Sequence, residues 1–148
     1  MERELTQFSK LSRVGGSFVC DNAGEVVVSS TPAVLATVTM TTIGREVGRM
    51  FSALETAGAP MTRIELAYNT WRLFAQDIGD GVLFVVSEPG ADPSLVRMTA
   101  DVVAATWARD GTVQKRLQAS KAVRRELVTR ATLDPVSLQS WRTIDSHA

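Results

Sequence analysis

Leu5, Phe8 and Leu11 recur every third residue within the first thirteen positions, which places them on one side of a short helix. The pattern then changes period. Val14-Gly15-Gly16 punctuates the chain, Ser17-Phe18-Val19-Cys20 opens a strand, and Glu25-Val26-Val27-Val28-Ser29 returns as a second strand rich in β-branched residues. Between them Asp21-Asn22-Ala23-Gly24 has the chemistry of a tight turn, so the two strands form a hairpin. Ala36, Met40, Ile43, Val47, Met50 and Leu54 alternate spacings of four and three, and predict a helix from Pro32 to Ala57. Thr31 is its N-cap, Pro32 its first helical residue, and Gly58-Ala59-Pro60 its end.

Three further strands are predicted. Thr62 to Asn69 alternates, with Ile64, Leu66 and Tyr68 on one face and Arg63, Glu65 and Ala67 on the other. Trp71 to Ile78 follows a very short turn, and Gly79-Asp80-Gly81 forms another. Val82-Leu83-Phe84-Val85-Val86 is apolar at every position, as in a central strand covered on both faces. Asp92-Pro93 then starts a helix to Arg109, whose core side is marked by Leu95, Met98, Val102 and Ala105. A weaker helix is expected from Thr112 to Ala131, its apolar side (Val113, Leu117, Val123, Leu127) interrupted by Ser120 and Arg124. Tight turns make most strand pairs antiparallel. The expected fold is therefore an α+β sandwich, helix–β–β–long helix–β–β–β–helix, with a mainly antiparallel five-stranded sheet between helices and an appended C-terminal helix.

Composition narrows the chemistry. A chain of 148 residues that is 45% hydrophobic has enough surface to bury for one ordinary core. The lone Cys20 excludes a disulfide framework and a cysteine-based zinc site, and fits a reducing cytoplasm; on a strand with no histidine near, it reads as buried and structural. The lone His147 lies where chains fray, which argues against Ser-His-Asp or Cys-His catalysis. Formal net charge is zero, against binding nucleic acid over the whole surface, and no apolar run is long enough to span a membrane. Gly15-Gly16 leads into a strand, unlike a phosphate loop. Asp77, Asp80 and Glu88 flank one hairpin without His or Cys and read as a solvated rim. Trp71, Trp107 and Trp141 are too scattered for a base-stacking platform, and one or two of them read as core or interface anchors. No catalytic, cofactor or metal residues are assigned.

Two features are less ordinary. Thr37, Thr41, Gly44, Gly48 and Ser52 form a small-residue stripe on the long helix, about a third of a turn from the apolar one. Two helical glycines each cost about 1 kcal/mol relative to alanine, which a close helix–helix approach would offset; packing on the chain's own sheet is the alternative. Charge is also uneven. Residues 1–110 hold nine basic and thirteen acidic residues, net −4, and residues 111–148 hold seven and three, net +4. Lys115, Arg116, Lys121, Arg124, Arg125 and Arg130 form a basic segment able to dock an acidic partner, the anionic surface of a membrane or nucleic acid, or to be neutralised by the acidic body of the same protein or its dimer mate.

The opening hairpin, Gly16 to Ser30 with its Asp-x-x-Gly turn, resembles that of the roadblock/dynein light-chain domain family. The long helix comes next. Gly79-Asp80-Gly81-Val82-Leu83-Phe84-Val85-Val86 is similar to the family's last hairpin turn and central strand, and Glu88-Pro89 with Asp92 to Val96 leads into its final helix. The likeness covers residues 3–108, so residues 1–110 are read as a roadblock-like domain and 111–148 as a basic helix and tail. The resemblance implies a non-enzymatic homodimer paired through the long helix and the edge strand beside it, here Thr41, Gly44, Gly48 and Ser52 with Arg63, Glu65 and Ala67. It also implies a Ras-like small GTPase as partner, because prokaryotic members often act with one as scaffold or activator in polarity and motility systems. Two other readings stand beside it: a profilin- or PAS-like sensor with a small molecule between sheet and helix, and an adaptor that binds an anionic surface through the basic segment.

Overall fold

The structure, a computed structural model, describes residues 1–30 and 36–119. In chain order it contains α1 (Glu2–Ser9), β1 (Val14–Asp21), β2 (Val26–Ser30), α2 (Thr37–Thr56), β3 (Arg63–Ala67), β4 (Arg72–Asp77), β5 (Gly81–Ser87) and α3 (Pro93–Ala108), followed by helix α4 over 111–119. The strands form one sheet in the order β2-β1-β5-β4-β3, and every neighbouring pair is antiparallel. This is the predicted α+β sandwich.

The sheet separates two cores. On one side Val19, Leu83 and Val85 pack with Leu5 and Phe8 of α1, with Val96, Ala100, Val103 and Trp107 of α3, and with Val113 and Leu117 of α4. On the other, Phe18, Cys20, Val82 and Phe84 meet Met40 and Val47 of α2. Period-two alternation sends successive residues of β1 and β5 to opposite faces, which is why β5 is apolar throughout. Phe18 and Phe84 are partners across the β1–β5 ladder, and their rings stack with centroids 4.8 Å apart.

The turns form where their chemistry predicts. Asp21 Oδ1 accepts from the amides of Ala23 and Glu25 at 2.9 and 3.0 Å, and Gly24 takes φ +85°. Ala59 N–H donates to Leu54 O at 2.9 Å around Gly58 at φ +76°, closing α2 with a glycine cap. Asp92 accepts from Ser94 N–H at 2.9 Å and caps α3, with Pro93 as its first residue.

Several expectations are corrected. Gly15 and Gly16 lie inside β1, because Gly16 pairs with Val86 and the ladder begins at Val14. Helix α2 starts at Thr37 after an extended Ala36; the start expected at Thr31-Pro32 lies outside the described residues. Met50 is more than a third exposed, so the core stripe of α2 runs through Met40, Val47 and Phe51. In α3 the buried side is Val96, Ala100, Val103 and Trp107, while Leu95, Met98, Val102 and Ala105 face outward. Both sets satisfy the helical period, one or two residues apart; Trp107, much the largest, decides which set turns inward. The core also continues past residue 110, since Val113 and Leu117 belong to it. Val123, Leu127, Trp141 and the expected helix end lie outside the described residues.

Candidate functional site

Strand β3 is a sheet edge, and its hydrogen-bonding register decides what that edge offers. Thr62 O accepts from Asp77 N–H at 2.8 Å, and Tyr68 N–H donates to Trp71 O at 2.9 Å. These opposed pairs share the β3–β4 register, in which Ile64 faces Ala75 and Leu66 faces Leu73. Hydrogen-bonded pairs alternate with non-bonded ones in an antiparallel ladder, so Thr62, Ile64, Leu66 and Tyr68 bond to β4. Arg63, Glu65 and Ala67 therefore turn their backbone N–H and C=O groups outward. Among the described residues nothing hydrogen-bonds to that outward backbone.

The side chains of β3 divide by face. Arg63 donates to Asp101 Oδ1 at 2.6 Å and to Gln76 Oε1 at 3.2 Å, and lies 5.4 Å from the Phe74 ring centroid. Glu65 accepts two bonds from Arg97 at 2.7 and 3.1 Å, and this guanidinium holds its carboxyl below the usual carboxylate range. Both ion pairs fasten β3 to α3 and leave its outer backbone free. On the opposite face Ile64, Leu66 and Trp71 pack against the α2 core but remain only partly buried. Tyr68 stacks on Trp71 with ring centroids 4.1 Å apart and is half-exposed. Sequence reading takes Trp71 as a candidate anchor and Tyr68 only as a strand position, without pairing them; the signal for the pair is two aromatics flanking the Asn69-Thr70 turn.

The small-residue stripe of α2 separates into two environments. Gly44 is buried against its own sheet: a Cβ there would lie 2.7 Å from Cys20 Sγ and 3.1 Å from Gly24 O. Its lack of a side chain is thus explained within the chain. A Cβ on Gly48 would meet nothing within 4 Å. Gly48 instead opens a groove of about 470 Å³, walled by Phe51, Ser52, Glu55, Asn22 and Thr62. Thr41 is half-buried, and Thr37 and Ser52 are exposed. The structure therefore brings Gly48 and Ser52 together around one groove and places Gly44 beneath the helix.

Cys20 is buried, and burial pushes its thiol up to about 12, so it is no nucleophile at neutral pH. Asp77 Oδ1 accepts from Gly79 N–H at 2.8 Å, a turn role. Among the described residues, no group of three or more His, Cys, Asp or Glu side chains is arranged to hold a metal ion, and no helix is long and apolar enough to cross a membrane. Of the basic segment, Arg116 is engaged inside the chain, donating to Glu2 Oε1 at 3.0 Å and Val27 O at 3.1 Å, and Lys115 is exposed. Lys121, Arg124, Arg125 and Arg130 lie outside the described residues.

Among the described residues α2 covers one face of the sheet and α1, α3 and α4 the other, and the sandwich has the roadblock fold. A roadblock/LC7 domain from Streptomyces avermitilis superposes with a TM-score of 0.63 at 11% identity, over 72% of this chain and 92% of that one. Myxococcus xanthus MglB gives 0.59 at 17%, over 68% and 77%. An MglB with a tetrameric arrangement gives 0.62 at 12%, over 80% and 88%. No family model matches the chain, and no curated protein is similar to it.

Proposed function

We propose that this protein is a non-catalytic, homodimeric regulator or scaffold of a Ras-like small GTPase, acting in the cytoplasm. The observation that carries the dimer is the β3 edge: an outward backbone at Arg63, Glu65 and Ala67, with half-covered Ile64 and Leu66 beside it. A second copy pairing there makes one continuous sheet, satisfies the outward groups and covers the apolar side chains. Its α2 crosses near Gly48, where the missing side chain leaves room. The likeness to MglB and the resemblance of the hairpins to roadblock domains support the GTPase as partner. Light scattering of the purified protein tests this, alone and with Ras-like GTPases loaded with GDP or a GTP analogue. A dimer that enlarges with one nucleotide state supports the reading; a monomer that ignores every GTPase defeats it.

A sensor reading is favoured by one observation, the groove beside Gly48, whose volume falls within the roughly 300–1,000 Å³ of small-molecule sites. Its polar, open walls suit a sensor less well than the mainly apolar clefts that enclose such ligands. Thermal shift against a metabolite panel separates the two, since a dimer seat gives no shift.

A further inference from the structure

Helix α4 brings the described chain to the lip of a groove. Gln118 Nε2 donates to Asp80 Oδ2 at 3.4 Å, which sets the end of α4 at the β4–β5 turn. Gly79 of the same turn lines the groove of about 470 Å³ beside Gly48. The charge around that groove is all of one sign: Asp21, Glu55 and Asp77 line it, with no Lys, Arg or His. Glu2, Glu25, Glu65 and Asp101 each have an arginine partner, whereas Glu55 and Asp77 have no ion-pair partner among the described residues. Asp21 is 3% exposed; its Oδ1 serves the turn, and its Oδ2 meets no hydrogen-bond donor among the described residues. A buried carboxylate oxygen without a donor is costly, so its donor is to be sought outside them. Apolar surface lies beside the acids, since Met61 is 52% exposed and Phe51 half-buried.

We propose that the basic stretch directly after α4, Lys121 to Arg125, turns round the end of the sheet and docks in this groove of its own chain. Residues 120–130 lie outside the described residues and hold four basic side chains, Lys121, Arg124, Arg125 and Arg130, against one acid, Glu126. Reach singles out this segment. Gln118 is already at the turn that borders the groove, and Lys121 follows it by three residues, about 10 Å of extended chain. An arginine fork donates to both oxygens of a carboxylate such as Glu55 or Asp77, and Val123 between the charges covers Met61. Each solvated pair contributes at most about 1 kcal/mol, too little to hold a free peptide. The tether changes that. It presents the segment at an effective concentration on the order of millimolar, so millimolar affinity leaves docking about half populated. The groove is also where the second α2 of the dimer proposed above crosses, and it holds one occupant at a time. Docking therefore opposes pairing; this consequence rests on that reading, and the docking itself does not.

Cross-linking within the full chain at about 1 µM, too dilute for weak encounters between copies, tests the docking. Ser52→Cys with Ala122→Cys puts one thiol on the groove wall and one in the segment, while Cys20 stays buried. Mild oxidation should join the two within one chain, and adding Arg124→Glu with Arg125→Glu should slow that link at least about fivefold. Glu55→Arg on top of the reversal should recover the rate, because the charges are then exchanged and a damaged fold would not be rescued. An unchanged rate after reversal overturns the proposal. So does a link that joins two chains, which places the segment on another copy, or a slowed link that Glu55→Arg does not recover. Sedimentation of the chain carrying only Arg124→Glu and Arg125→Glu reads the consequence. With docking half populated in each protomer, its removal should tighten the dimer about fourfold. A slowed link beside an unchanged dimer constant supports docking and counts against α2 crossing at this groove.

Discussion

At the β2 edge of the sheet, Arg116 donates to Val27 O and pairs with Glu2, and helix α1 packs beside the strand. At the β3 edge the side chains of Arg63 and Glu65 are tied to α3, yet the backbone they belong to meets nothing outside among the described residues. An exposed edge is a template for another strand, and folded proteins ordinarily blunt it with charge, a bulge or a covering element. Here β2 receives both a ladder irregularity and an arginine on an outward carbonyl. That β3 receives neither is the contrast on which the proposed pairing at this edge rests. The same contrast recurs within α2, where a Cβ on Gly44 would strike its own sheet and one on Gly48 would meet nothing within 4 Å.

The largest expected effect breaks the comparison at β3. Ala67→Pro removes one outward amide and no intrachain ladder bond, so the fold should survive while the dimer constant weakens about 100-fold or more, close to 3 kcal/mol. Sedimentation of the variant beside its circular dichroism checks both halves. Gly44→Ala comes next. Its Cβ must displace Cys20 or the Gly24 carbonyl, and denaturant melts should show a loss of about 1–3 kcal/mol without a specific effect on association. Gly48→Ala should do the opposite and stabilise each protomer by about 0.5–1 kcal/mol, while Gly48→Leu should raise the dimer dissociation constant about tenfold by occupying the groove.

A pH titration sharpens the Gly44 side. The thiol of Cys20 titrates near 9.0 when unfolded and near 12 when folded, so the unfolded chain loses its proton first as pH rises. Stability linked to this group is fully present below pH 9 and declines between 9 and about 12. A thiol reagent at neutral pH should accordingly modify Cys20 only after unfolding. The smallest effect is at β2. Arg116→Ala should lower stability by only a few tenths of a kcal/mol, because its ion pair with Glu2 is largely solvated. Light scattering should nonetheless show slow self-association through the uncovered Val27 carbonyl.

The fold was legible in the sequence because its devices are local. Asp21 to Gly24, Gly79, Gly58 and Asp92-Pro93 each act within a few residues, and alternation at Ile64 and Leu66 assigns both faces of β3. What failed depended on tertiary choice. Leu95, Met98, Val102 and Ala105 have a helical period as regular as that of the buried set, so periodicity did not choose the core side of α3. The stripe from Thr41 to Ser52 reads as one surface, whereas packing divides it at Gly44 and Gly48. The sequence leaves Arg116 open between docking a partner and neutralisation by its own acidic body; Glu2 and Val27, far away in sequence, are its partners in the second sense. The outward backbone of Arg63, Glu65 and Ala67 follows from the ladder register, which the side-chain pattern does not fix.

Amide hydrogen exchange along β3 tests pairing at this edge most directly. At concentrations where the protein is a dimer by mass, the amides of Arg63, Glu65 and Ala67 should exchange as slowly as those of β4, and lose that protection on dilution to monomer or in Ala67→Pro. Exchange of these three amides at the rate of an unstructured peptide, in a sample that is dimeric by mass, would contradict the account and place the contact elsewhere.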